Sequence, residues 1–236
     1  MALVDIIIVN HNTEKLLSTC LRSIYRHSNQ ANYRVIVIDN GSQHPPKLAQ
    51  WWRNTTLLRN HTNCSLAATW NQGIQAGKGD YILILNPDVF VSPGWLTKMI
   101  NHANSQPKIA MVGCKHVNKQ GKIVHAGLDF NGRYRYKGLA AKKYGNRAAL
   151  VLSVSGGCFL IKRGNLAELG LFDENYFLYY EDTDYAVNAV RHGFKVLYCP
   201  VPVRHDAHGT PISNHLRRQY IKASQRYFRH KWKLNL

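Results

Sequence analysis

The sequence predicts an α/β fold built on a doubly wound, mostly parallel sheet, and three observations carry that prediction. Continuous apolar runs recur at residues 3–10, 34–39 and 81–85, as in strands buried on both faces. Segments with apolar residues at helical spacing alternate with them. Each run ends in polar residues, Asn10-His11-Asn12, Asp39-Asn40 and Asn86-Pro87-Asp88, and in such sheets ligands bind beyond the carboxyl ends of the strands.

In chain order, the first strand is followed by Leu16, Leu17, Cys20, Leu21 and Ile24 at helical spacing. The second strand closes in the turn-forming Asn40-Gly41-Ser42. A helix over 66–76 leads through Gly77 to Gly79 into the third strand, and a helix at 94–103 precedes a strand at 109–112. The second half is less regular. Residues 115–144 are rich in Gly, Lys, His and Tyr, which predicts hairpins and loops, and an apolar strand over 151–162 is interrupted by Ser155-Gly156-Gly157. A helix over 183–192 stops at Gly193, a short strand covers 195–198, and 213–232 reads as a basic amphipathic helix. The organisation predicted is two halves of one domain, 1–114 and 115–210, followed by the C-terminal helix, 211–236.

Composition excludes several classes. With 45% hydrophobic residues the chain can bury a core, and no low-complexity tract suggests disorder. Its five cysteines are scattered singly, which argues against a zinc ribbon and fits buried thiols in a reducing compartment. No stretch approaches the roughly 18 apolar residues of a membrane span, and the N-terminus reads as a strand, so a cytoplasmic protein is expected. The formal charge of +18 attracts polyanions without choosing among nucleic acid, an anionic membrane and phosphorylated small molecules.

Local chemistry narrows the choice. Asp39 ends the second strand, where a carboxylate can hold a ribose hydroxyl or a base N–H. The turn after the first strand lacks glycine, which disfavours a dinucleotide fold. Asp88, just past the third strand, can hold a hard divalent cation, although Asn-Pro-Asp is equally turn chemistry. Glu181-Asp182, with Asp184 following, is the densest acidic cluster in a chain with only 13 acids. Helix capping explains one such carboxylate, but not three beside Tyr176-Phe177-Leu178-Tyr179-Tyr180. An aromatic-walled carboxylate is desolvated, which raises its pKa toward that of a useful general base. His205 and His208 follow as candidate metal ligands; a solvated loop histidine is the plainer alternative.

With these segments in view, the chain resembles family 2 glycosyltransferases of the GT-A fold, especially rhamnosyltransferase-like bacterial members. The matching segments are IIIVNHN (6–12), VIVIDNGS (35–42), NQGIQAGKGDYILILNPDV (71–89), SGGCFLIKR (155–163), LGLFDENYFLYYEDTDYA (169–186) and GFKVLYCPVPVRHDAHGT (193–210). The resemblance implies an inverting transfer of sugar from a nucleoside diphosphate, dTDP- or UDP-linked, to a hydroxyl of a bacterial surface glycan such as lipopolysaccharide, O-antigen or capsule. It assigns Asn10, Asn12, Asp39, Asn71, Asn86 and Asp88 to the nucleotide sugar. It gives Asp88 and His205 to Mg²⁺ or Mn²⁺, with His208 as the fallback, Asp182 to the general base with Glu181 beside it, and Ser155, Gly156, Gly157 and Tyr180 to the acceptor. Asn86 stands where the family's metal motif carries its first acid.

In the tail, Leu216, Tyr220, Tyr227, Phe228 and Trp232 recur at helical period among seven Lys and Arg residues. This suits a helix lying on an anionic bilayer, or equally one whose apolar stripe caps the domain. Lys137, Lys142, Lys143 and Arg147 are expected on an acceptor-side loop. The alternatives are a basic nucleic-acid-binding module, which leaves Asp88, Asp182 and His205 without a role, and a catalytically silent scaffold.

Overall fold

The structure is a computed structural model that describes residues 2–29, 31–47, 52, 54–206 and 212–233. β1 (Leu3–Asn10) leads through α1 (Glu14–His27) to β2 (Asn32–Asn40) and the edge strand β3 (Thr55–Asn60). α2 (Leu66–Ala76) is capped by Ser65, whose hydroxyl accepts the Ala68 N–H, and returns the chain to β4 (Tyr81–Leu85). The short β5 (Val89–Phe90) precedes α3 (Trp95–Ala103) and β6 (Ile109–Val117). The remainder contributes β7 (Ile123–His125), β8 (Ala149–Val151), β9 (Cys158–Lys162) and a one-turn α4 (Leu166–Leu169). It ends in α5 (Glu181–Arg191), β10 (Lys195–His205) and α6 (Asn214–Trp232).

One mixed sheet runs in the order β3-β2-β1-β4-β9-β6-β10-β5, with β7 added to β6 and β8 to β10. β1 is parallel to β2 and β4, whereas β9 is antiparallel to β4 and β6. Both faces are covered. α1 and α3 bury Leu17, Leu21, Trp95 and Met99 against Ile6, Ile8 and Leu83 on one side. On the other, α2 and α5 bury Trp70, Ile74, Tyr185 and Ala186 against Ile7, Ile38 and Ile84. Strands covered on both faces need the uninterrupted apolar runs seen in the sequence.

Residue 114 lies inside β6, and β9 inserts between β4 and β6, so residues 1–114 and 115–210 share one sheet. Two expectations are corrected. The strand expected over 195–198 continues to His205, because Val201 and Val203 turn inward while Pro202 and Arg204 stay exposed. α5 begins at Glu181 rather than at 183. Its N-cap is Tyr180, in the left-handed conformation and without a side-chain cap, so neither acidic residue caps the helix.

α6 forms as expected, but its apolar stripe is occupied. Tyr227 packs edge-on against Tyr176, Tyr220 lies 4.8 Å from Phe177 between ring centroids, and Phe228 meets Tyr180 at 5.3 Å. Polar bonds secure it: Ser224 Oγ donates to the Leu178 carbonyl, and Lys231 Nζ reaches both Asp173 and Asp184 at 2.7 Å. Among the described residues, no helix is long and apolar enough to cross a membrane.

Candidate active site

The carboxyl ends of β1, β2 and β4, the start of α5 and the end of β10 converge on a cavity of about 500 Å³. Asn86, Asp88, Ser155, Gly156, Gly157, Glu181, Asp182 and His205 all line it. The register explains the convergence. β10 runs antiparallel to β5, which pairs His205 with Val89 directly after Asp88. The Asn86 N–H bonds to the Gly157 carbonyl at 2.9 Å, which closes the glycine segment onto the end of β4.

Asp182 is held by three donors. Its Oδ2 accepts the Gly156 N–H at 2.5 Å, and its Oδ1 accepts the Thr183 N–H at 2.6 Å and the Thr183 hydroxyl at 3.1 Å. A side chain at Gly156 would place its Cβ 3.0 Å from Asp182 Oδ2 and 3.2 Å from Trp70, so glycine is what allows this approach. Burial raises the Asp182 pKa, and its donors pull it back. For the fully buried Glu181 burial dominates, with the Asp182 charge adding to it, and the carboxyl is pushed up to about 8. Its Oε2 is buried without a hydrogen bond. Like charges on adjacent buried carboxyls oppose each other, so ionisation of the pair favours Asp182, which has three donors, over Glu181, which holds its proton.

The turn before this pair is strained. Tyr179 and Tyr180 both have φ of 73°, a left-handed conformation unfavourable for any residue with a Cβ by about 1–2 kcal/mol each. The neighbours hold it there: the Leu66 N–H bonds to Phe177 O, the Asp184 N–H bonds to Tyr180 O, and α6 packs on Tyr180 and Leu178. Asp184, the third acid of the cluster, is buried and structural. It accepts from Tyr176 Oη, Trp232 Nε1 and Lys231 Nζ.

His205 Nε2 lies 3.3 Å from Asp88 Oδ1 at the cavity wall. Its Nδ1 lies 3.0 Å from Nδ1 of His116, a fully buried residue whose pKa burial lowers far below the usual histidine value. Neutral His116 therefore shares one proton with His205, which fixes the tautomers of both rings as a pair. A carboxylate oxygen beside an imidazole nitrogen would suit Mg²⁺ or Mn²⁺ as two protein donors. Among the described residues, no cluster of three or more His, Cys, Asp or Glu forms a closed metal site. His208 lies outside the described residues.

Other assignments do not reach the wall. Asn10 and Asp39 sit one layer behind it and bond to each other at 3.0 Å, with Asn10 also held by Ser42 and Thr13. The Asn12 side-chain oxygen accepts the Gln43 N–H and builds the turn. Their neighbours His11, Thr13 and Asn40 line the cavity instead. The Asn71 amide bonds to the Phe172 backbone and to Glu174, away from the cavity. Tyr180 turns toward Phe228, and Tyr179 takes the wall position given to it. The sequence reading missed the wall that α6 supplies: Leu216, Arg217, Tyr220 and Ile221, with Ile212 just ahead of the helix. Their spacing was legible, but it pointed outward to a bilayer as readily as inward.

A mixed α/β sheet with a carboxylate-lined cleft at the ends of its leading strands defines the GT-A class of glycosyltransferase fold. Residues 5–170 match Glycosyl transferase family 2, and the chain belongs to that family. It is 25% identical over 210 residues to the O-antigen biosynthesis protein RfbC of Myxococcus xanthus, covering 82% of this chain and 16% of that protein. It is 26% identical over 235 residues to an N-acetylglucosaminyl-diphospho-decaprenol L-rhamnosyltransferase of Mycobacterium tuberculosis, covering 82% of this chain and 75% of the relative. The chain thus spans under a fifth of the first relative and three quarters of the second. The fold matches GalNAc-T7 solved with UDP, GalNAc and Mn²⁺ at a TM-score of 0.72 and 18% identity, over 95% of this chain and 48% of that one. It matches a Pyrobaculum calidifontis mannosyltransferase solved with GDP-Man and Mn²⁺ at 0.72 and 17%, over 99% and 64%.

Proposed function

We propose that the protein is an inverting glycosyltransferase that moves a hexosyl or rhamnosyl group from a uridine or deoxythymidine diphosphate to a hydroxyl of a bacterial surface glycan. The observation that carries this reading is the placement of Asp182, anchored by the Gly156 N–H, in the same cavity as the Asp88–His205 pair. A base and a diphosphate anchor in one cleft are what a single displacement requires. Relatives named for O-antigen biosynthesis and for rhamnosyl transfer to a diphospho-decaprenol acceptor support the glycan class.

In this reading the nucleoside lies over His11, Thr13 and Asn40 at the ends of β1 and β2. Asp39 stands beneath, with one carboxylate oxygen lacking a hydrogen bond. Asp88 and His205 would hold a divalent cation, whose charge would offset that building on the diphosphate. Asp182 takes the proton from the acceptor hydroxyl at about 3 Å. The freed oxygen attacks the anomeric carbon, and the bond from that carbon to the diphosphate oxygen breaks on the opposite face, inverting the centre. Protonated Glu181 keeps a second negative charge away from the base. Ser155, Gly156 and Gly157 border the transferred sugar and the acceptor.

Asp182→Asn tests the proposal. It should lower turnover about 10²–10⁴-fold. Calorimetry with Mn²⁺ and nucleoside diphosphates should show unchanged binding. A variant that retains turnover would remove Asp182 as base. Failure of uridine, deoxythymidine and other nucleoside diphosphates to bind the wild type would remove the donor class.

A further inference from the structure

We infer that the arm formed by residues 118–150 is a docking surface for an anionic lipid bilayer. Eight large apolar side chains are exposed among the described residues, and six of them lie in this one segment: Phe130, Tyr134, Tyr136, Leu139, Tyr144 and Leu150. Single exposed apolar residues are ordinary, but this concentration is not. The same segment holds eight Lys and Arg against one acid, Asp129. Among the described residues no carboxylate pairs with Lys137, Lys142, Lys143 or Arg147, and Asp129 is occupied by the N–H groups of Asn131 and Arg133.

The arm is held, so its apolar tips are presented in a set shape. Buried Lys115 donates to the Ala141 carbonyl, the Tyr144 carbonyl and Asn146 Oδ1, and Tyr198 Oη donates to the Gly145 carbonyl at 2.7 Å. Cations sit on the rings: Lys137 Nζ is 4.1 Å from the Tyr134 centroid, and Arg135 is 5.2 Å from that of Tyr136. Phosphate headgroups answer the cations, tyrosines suit the interfacial layer, and acyl chains answer Phe130, Leu139 and Leu150. A soluble polyanion would leave those three side chains unrewarded. α6 is a poorer candidate, because its Phe228 and Trp232 are buried in the domain.

The arm approaches the cavity wall at Tyr134, which packs edge-on against His125 at 5.4 Å between ring centroids; His125 meets His116, the ring beside His205. Docking there would turn the acceptor side of the cavity toward lipid. That orientation rests on the sugar-transfer reading; the docking itself does not.

Cosedimentation with vesicles made of equal parts phosphatidylglycerol and phosphatidylcholine, and with phosphatidylcholine alone, tests the surface. The wild type should bind the first and not the second. One lysine near an anionic surface is worth about a five-fold change in partition, so Lys142→Glu with Lys143→Glu should weaken binding about 25-fold or more. Phe130→Ser with Leu139→Ser should weaken it about ten-fold. Arg218→Glu with Lys222→Glu, on the exposed side of α6, should weaken it less than either arm pair. Circular dichroism and nucleotide binding check that each variant is folded; should the charge pair misfold, the Phe130–Leu139 pair decides. The proposal is overturned by three results: no binding of the wild type to anionic vesicles, an α6 pair that loses as much as the arm pairs, or an apolar pair without effect while polyphosphate displaces the protein. Loss of docking with intact nucleotide binding would leave the sugar-transfer reading standing.

Discussion

Trp232 donates its indole N–H to Asp184 Oδ1 at 2.8 Å, which ties the end of α6 to the first turn of the helix that carries Glu181 and Asp182. Tyr176 Oη shares the same oxygen, and Lys231 takes the other. The buried Asp184 carboxylate is therefore engaged at both oxygens, and its three donors, Tyr176, Lys231 and Trp232, all come from outside its own helix. The bond lets a helix remote in sequence hold both the cavity wall and the strained Tyr179–Tyr180 turn.

Removing the indole N–H without removing the aromatic bulk should expose this dependence. Trp232→Phe leaves Asp184 short of one charge-assisted donor, and the expected cost is about 1–3 kcal/mol of unfolding free energy. Urea denaturation checks the loss. Turnover should fall as well, since Leu216, Arg217 and Tyr220 lose their backing. A variant as stable and as active as the wild type would mean that packing alone holds α6.

Glu181 gives a pH signature with a definite sign. Its folded pKa, about 8, lies above its ordinary value of 4.5. Between those values the native chain holds a proton that the unfolded chain has released. This group's contribution to stability therefore declines as pH rises through the window. Glu181→Gln removes the titration, so the variant should gain on the wild type by on the order of 1–3 kcal/mol between about pH 5 and about pH 8. Parallel stability curves for the two proteins would show that Glu181 is ionised in the fold.

His116 should matter through His205. With His116 neutral, a cation on His205 Nε2 requires the His205 Nδ1–H to donate to His116 Nδ1 across their 3.0 Å contact. His116→Leu removes that acceptor, and Mn²⁺-dependent nucleotide affinity is expected to fall about 10–100-fold. Calorimetry with and without Mn²⁺ reads this directly. His116→Gln, which keeps an acceptor oxygen, should recover part of the loss. Equal affinities in all three proteins would detach His116 from the cation.

Much of the fold was legible because burial on both faces leaves a local signature. β1, β2 and β4 stand out as apolar runs, and the polar residues after them mark the cavity. Asp88, Asp182 and His205, singled out by position at element ends together with resemblance, all line that cavity. What escaped depends on contacts between distant residues. Nothing local to Asp5 shows that it is buried in β1 between Arg34 and Arg163. His116 sits in a run of strand residues, and nothing local shows that its ring meets His205, 89 positions away. β3, a half-exposed edge strand, lacks the apolar run that revealed the others. For α6, periodicity fixed the helix but not the side that would be covered.

That C-terminal wall imposes an order on biosynthesis. Residues 214–232 leave the ribosome after every strand of the sheet and after α5. A nascent chain lacking them can pair its strands and bring Asp182 to Gly156. It keeps the Leu66–Phe177 and Asp184–Tyr180 backbone bonds but lacks the packing of α6 on Tyr180 and Leu178, and its cleft stands open on one side. The carboxylate proposed as base is thus synthesised before the wall that completes its cleft, which closes only once α6 has been added.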